Sequence, residues 1–308
     1  MTETTLWALF WVLVVGMLVI DLGVVNRKPH VMALRVALTW VGVWVTLAAL
    51  FGLVLFLWAQ NGTQRAQEFF AAYITEEALS VDNIFVFVVV FRSFGIRPEH
   101  QHRVLFWGIL GAIVLRGVFI FVGVELTERF AWSMYVLGAF LVFTGLKLAF
   151  EKTRELDPEG NFVLRTAKRF LPVTSQTNGA NFFLRSEGRL LATPHFLALL
   201  VIESPEVMFA VDSVPAALSI SSDRLVLYSS NIMAVMGLRA MYFAVAGAMT
   251  SLRFLQAGLS AILVFVGIKM LLARSFHIPV TWALSTVAGI LVLTVAASLL
   301  FRRPSGPE

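Results

Sequence analysis

"EEALSVDN", residues 76–83, puts Glu76, Glu77 and Asp82 inside a stretch, roughly 69–91, that otherwise has the composition of a membrane-spanning helix. A carboxylate at the bilayer centre costs roughly 2.5–3.5 kcal/mol even on insertion scales, so three in one helix need a reason. "PEVMFAVDSVPA", residues 205–216, repeats the pattern with Glu206, Asp212 and Ser213. Two such stretches in a membrane turn their acids toward each other or toward an ion, and that reading sets the fold.

The rest of the chain supports the membrane setting. It has 308 residues, of which 58% are hydrophobic and 14% charged, and its mean hydropathy is +0.83. Soluble domains are nearer a quarter charged. Apolar runs fall at 6–25, 36–58, 69–91, 104–124, 132–150, 193–220, 225–249, 255–273 and 280–300. A run of about 20 apolar residues crosses the ~30 Å hydrocarbon core as a helix, whereas an outer-membrane strand is shorter and alternates. The expected fold is therefore an all-α polytopic membrane protein of about nine transmembrane helices.

Loop charge orients it. One set of alternating connections holds sixteen Lys and Arg, seven of them between 151 and 192, against four (Arg65, Arg129, Arg224, Arg274) on the other side. The positive-inside rule then places the N-terminus outside and the C-terminus in the cytoplasm of a cell inner membrane. The pI of about 9.9 is explained by this pattern, so no nucleic-acid partner is expected. "MTETTLWALFW" has no basic n-region or small-residue cleavage site, so no removable signal peptide is expected. With no cysteine, disulfides, Fe–S clusters and thiolate metal sites are excluded.

The chain repeats itself. Residues 76–83 align with 206–213, "VLRGVFIFVG" (114–123) with "GLRAMYFAVAG" (237–247), and "LGAFLVFTGLKLAF" (137–150) with "LSAILVFVGIKMLL" (259–272). Each copy covers three spans, and an odd number inverts the second copy, an architecture in which ligand sites lie between the copies near the midplane. The expected organisation is two N-terminal helices (1–68), a first repeat (69–150), a cytoplasmic loop subdomain (151–192), an inverted second repeat (193–274), and a last helix with its tail (275–308). Within the loop, "NFVLRTAKRFLPV" has the pattern of an amphipathic surface helix and "NFFLRSEGRLLAT" that of two short strands.

Asp82 and Asp212, with Glu76, Glu203, Glu206, Asn83, Ser213 and Asp21, form an oxygen-rich set suited to a hard divalent cation. Glu76 and Asp82 stand about 240° apart on an ideal helix, whereas Glu76, Ser80 and Asn83 share a face. Pro205 and Pro215 bracket the second motif and interrupt helix hydrogen bonding, so a broken or re-aimed helix is expected there, bringing the oxygens together and freeing carbonyls as further ligands. Arg116 and Arg239, matched across the repeat, are candidates for charge pairing with these acids. Glu77 reads as structural or boundary-facing, and Asp21 is as consistent with a surface position as with a ligand. Lys147 and Lys269 are expected to snorkel to opposite interfaces.

On "DLGVVNRKPHV", "EEALSVDNIFVF", "QHRVLFWGILGAIVLRGVFIF", "GAFLVFTGLKLA", "ATPHFLALLVIESPEVMFAVDSVPA" and "SSNIMAVMGLRAMYFAVAG", the chain resembles the TerC family of integral membrane proteins, named for tellurium resistance, and within it the Alx-type, alkaline-induced manganese exporters. The resemblance runs from about 21 to 300. It implies nine membrane helices, export of Mn²⁺ or a similar ion, and metal binding at Glu76, Asp82, Asn83, Glu203 and Asp212. Glu206 departs from it, since the family more often has Asp there, without the preceding Ser-Pro.

The resulting expectation is a secondary transporter, not an enzyme. It would export a divalent cation in exchange for protons, with no cofactor beyond the cargo. The second reading is a membrane scaffold that hands metal to translocated proteins or serves a tellurite-resistance complex, with a protein partner at 151–192.

Overall fold

The computed structural model describes residues 2–20, 33–130, 132–150, 162–174, 179, 181–186, 189–245, 254–272 and 279–300; the side chains of Asp82 and of several other residues scattered within these ranges are not described. Among the described residues there are nine long helices: α1 (Glu3–Ile20), α2 (Leu34–Trp58), α3 (Gly62–Ser93), α4 (Pro98–Arg129), α5 (Ser133–Phe150), α7 (Pro194–Leu218), α8 (Arg224–Val245), α9 (Leu255–Leu272) and α10 (Val280–Leu300). They follow the nine apolar runs closely because helices satisfy their own backbone in an apolar solvent. Between α5 and α7 lie a short helix, α6 (Phe162–Phe170), and an antiparallel hairpin of β1 (Phe183–Ser186) and β2 (Arg189–Ala192).

Five helices, α1, α2, α4, α5 and α10, are long and apolar enough to cross a membrane by length and composition. The predominantly helical architecture is that of a multi-pass membrane protein. Large apolar side chains face outward over these helices, among them Val12, Val118, Phe143 and Leu293. Such exposure is unfavourable in water and free of cost in lipid. Exposed Trp58, Trp132 and Trp282 stand at helix ends, where amphipathic indoles sit at a bilayer interface.

The centre is α8, which is buried from Ser229 to Ala240 and packs against α2, α3 and α4. Around it the packing is matched between the repeats. α3 lies against α8 as α4 lies against α7. α5 and α9 run antiparallel at close range: a Cβ on Gly138 would stand 3.0 Å from the Gly267 carbonyl, while Ser260 Oγ donates to the Gly145 carbonyl at 2.7 Å. Gly138 aligns with Ser260 and Gly145 with Gly267 in the sequence repeat, so each residue touches the counterpart of the other's partner.

Two expectations need correction. α7 is unbroken through Pro205 and Pro215. Pro205 removes the amide that would bond the Val201 carbonyl, and Ser204 Oγ donates to that carbonyl instead at 3.1 Å. Pro215 lies in the last turn, and its carbonyl accepts from Ser219 N at 3.0 Å. The lysine pair also differs from expectation. Lys147 is exposed, but Lys269 is buried and donates to the Ser219 carbonyl at 2.8 Å. The end of α9 is enclosed by its neighbours, so the nearest acceptor is a carbonyl of the protein and not the interface.

Candidate functional site

α3 and α7 cross antiparallel, which brings their motifs together. Glu76, Ser80 and Asn83 recur at i, i+4 and i+7, one face of α3, and all three are buried. On α7, Glu206 and Ser213 are buried too. Asn83 Nδ2 donates to Glu206 Oε1 at 3.2 Å. At the matching position, Glu76 and Ser213 are joined through one guanidinium: Arg116 Nη1, from α4, donates to Glu76 Oε2, to Ser213 Oγ at 3.3 Å and to Asn231 Oδ1 of α8 at 3.0 Å. Arg116 and Glu76 are each only 1% exposed. A buried ion pair offsets its desolvation only when further hydrogen bonds satisfy it, and Ser213 and Asn231 supply them.

Glu203 extends the site toward α4. Its carboxylate oxygens would lie 2.5 Å from a Cβ on Gly111, so the glycine leaves the room in which the carboxylate sits. Glu203 and Glu206, one turn apart, face Gly111 and Asn83 respectively. Arg116 is ion-paired with Glu76 and also acts on Glu206 through its charge; Arg116 Nε and Asn231 Nδ2 find no acceptor among the described residues, and a larger set of oxygens finds no donor. Glu76 Oε1, Ser80 Oγ, Asn83 Oδ1, Glu203 Oε1 and Glu206 Oε2 are five buried atoms without a hydrogen-bond partner among the described residues.

The other candidate residues lie as follows. Asp212 is a half-buried residue of α7, and Arg239 is buried on α8. Asp82 is on α3, its side chain not among those described, and Asp21 lies outside the described residues. Glu77 is half-buried and turns to α8, its Oε1 3.5 Å from where a Cβ on Gly237 would be. Among the described residues no three His, Asp or Glu side chains gather closely enough to hold a metal by themselves. The described part of the site thus consists of Glu203 and Glu206 with the neutral oxygens of Ser80 and Asn83. Asn231 and Gly111 were not singled out in the sequence. The run Ser229-Ser230-Asn231, polar within an apolar helix, was the available signal for Asn231.

Comparison with known proteins agrees with this membrane architecture. The integral membrane protein TerC family matches residues 61–305. The chain is 45% identical over 298 residues to the uncharacterized membrane protein STKORF319 of Myxococcus xanthus, covering 97% of this chain and 93% of that one. It is 41% identical over 297 residues to Alx of Escherichia coli (strain K12), named as a proposed membrane-bound redox modulator, covering 94% of this chain and 92% of that one. No solved structure matches. With a family match over most of its length and full-length relatives at this identity, the chain belongs to the TerC family of integral membrane proteins.

Proposed function

We propose that this protein is a secondary transporter that exports a divalent cation, Mn²⁺ foremost, from the cytoplasm in exchange for protons. All nine long helices cross the membrane in this reading, including α3, α7, α8 and α9, whose polar residues face one another and not lipid. The two three-helix repeats are inverted about an axis through α5 and α9, and the N-terminus is outside the inner membrane. The observation that carries the proposal is the set of five unpartnered buried oxygens on the facing surfaces of α3 and α7. Buried acceptors without donors are costly, and a hard dication is the ligand that satisfies carboxylate, amide and hydroxyl oxygens together.

In this mechanism Glu206 and Glu203 provide the exchangeable charge, while Asn83, Ser80 and Ser213 provide neutral oxygens. Arg116 holds Glu76 in place and offsets one negative charge. Asp82 and Asp212, matched across the repeat, are proposed as the remaining carboxylate ligands. In the absence of cation, packed carboxylates hold protons, so metal entry releases protons and couples the two fluxes. A thiol-based redox role has no basis here, because the chain contains no cysteine.

The test is uptake of radiolabelled Mn²⁺ into inverted vesicles, driven by a proton gradient. Glu206→Gln, Asp82→Asn and Asp212→Asn are expected to abolish uptake. Wild-type uptake in all three would overturn the ligand assignment. If purified protein in liposomes moves no divalent ion, the export reading fails. Capture of a translocation partner through 151–192 would then favour the scaffold reading.

A further inference from the structure

Two imidazoles 95 residues apart meet where α4 and α7 begin. The rings of His100 and His195 stand with centroids 5.3 Å apart and planes at 63°. His195 is 2% exposed, and neither of its ring nitrogens has a hydrogen-bond partner among the described residues. Buried histidines normally anchor at least one nitrogen on a carbonyl or carboxylate. This one is held in place by its backbone instead. Thr193 N and Oγ1 bond the Phe182 carbonyl, and Oγ1 also bonds the Asn181 carbonyl at 2.7 Å, which fixes the start of α7. On the α4 side, Gln101 Nε2 donates to the Ile96 carbonyl, and Tyr242 OH donates to Gln101 Oε1 at 2.9 Å. His100 is only half-buried, so the pair is not sealed on its side.

We propose that His100 and His195 form a second metal-binding station, a two-imidazole site for a divalent transition cation, completed by water. Two rings that share one tetrahedral ion through bonds of about 2.0–2.1 Å have centroids about 5 Å apart, which is the separation already present. Imidazole binds first-row transition ions well and leaves Mg²⁺ and Ca²⁺ to all-oxygen sites. The station therefore supplies a discrimination that the oxygen site between α3 and α7 does not have. α4 and α7 run side by side from this end to Gly111 and Glu203. If the export reading holds, on which this role rests, the pair is the entry point and admits transition ions in preference to the more abundant Mg²⁺. Arg103 lies near His195, and its guanidinium is drawn off toward Asn181 Oδ1 at 3.3 Å and over the Phe182 ring. This positive charge keeps the hold on a dication weak, as suits a station that passes its ion on.

The experiment titrates Co²⁺ into the detergent-solubilised full chain, purified through a histidine-free tag, and follows the visible absorption of nitrogen-ligated Co²⁺. Wild type is expected to develop that spectrum in the presence of a large excess of Mg²⁺. His195→Gln and His100→Gln should each weaken it at least about tenfold, while Glu206→Gln leaves it unchanged. An undiminished spectrum in both histidine variants, or its loss on adding Mg²⁺, overturns the proposal. If His195→Gln does not yield monodisperse protein, His100→Gln at the half-buried position decides the matter alone. A normal spectrum from protein that transports nothing would sink the export reading and leave the site standing.

Discussion

Glu76 on α3 and Glu206 on α7 occupy matching places in two motifs 130 residues apart, and the fold treats them differently. Glu76 is ion-paired with Arg116, whose other bonds go to Ser213 and Asn231. Glu206 takes one amide donor from Asn83 and keeps Oε2 without a partner among the described residues. The repeat supplies two equivalent acids, and Arg116 of α4 hydrogen-bonds only Glu76, reaching Glu206 through its charge alone. A site with both acids paired would have no use for a cation, and one with neither paired would carry more buried charge than a membrane protein tolerates. Under the proposed transport reading, the difference makes α3 the fixed side of the site and α7 the side that exchanges.

The largest effect should come from the fixed side. Arg116→Leu leaves Glu76 buried without a partner and is expected to cost about 3–5 kcal/mol, as for other broken buried pairs. Thermal unfolding in detergent should show it, and Arg116→Leu with Glu76→Leu should recover most of the loss. If the double variant is no more stable than the single, the ion pair is not what holds α3 to α4. On the exchanging side the same assay should barely respond. Glu206→Gln preserves shape and the contact with Asn83, yet Mn²⁺ uptake should fall by at least the 10–100-fold that even outer-shell changes cause. A drop in stability as large as that of Arg116→Leu would erase the distinction between the two acids.

Smaller effects probe how α7 stays continuous through its prolines. Ser204→Ala frees the Val201 carbonyl beside Pro205 and should cost about 1 kcal/mol, a typical net hydrogen bond, with Pro205→Ala in the same background restoring it. The smallest effect belongs to the start of α3, where Arg65 pairs with Glu3 and Asp223 at 2.8 and 2.6 Å. Arg65→Gln should cost about 0.2–1 kcal/mol and less in high salt. His195 stands at the corresponding place in α7, so Arg65→Gln should leave the Co²⁺ spectrum untouched.

The charged ends also show how far the sequence could be read. Sixteen basic residues against four suggested an orientation, and the structure shows what the minority side does with three of its four. Arg65 pairs with Glu3 and Asp223, Arg129 with Glu125, and Arg224 with Glu125 and Glu128. The matching of Lys147 with Lys269 misled, because sequence alignment carries no information on how deeply each helix end is covered. The prolines misled for a related reason: a hydroxyl one residue away repairs a lost backbone bond, and the pair Ser204-Pro205 reads as a break only if that repair is overlooked.

By itself the sequence determined the helices, the hairpin, the repeat and the two acidic motifs. These are local properties, set by the length of apolar runs, by turn residues and by hydrogen bonds that close within each segment. Only the tertiary structure decided which acid Arg116 reaches, that Asn231 joins it, that Gly111 makes room for Glu203, and that His100 meets His195. Those pairings depend on how each helix is rotated about its axis and on contacts between residues 40 to 123 positions apart. Side-chain packing between helices sets that rotation, and no single segment contains it.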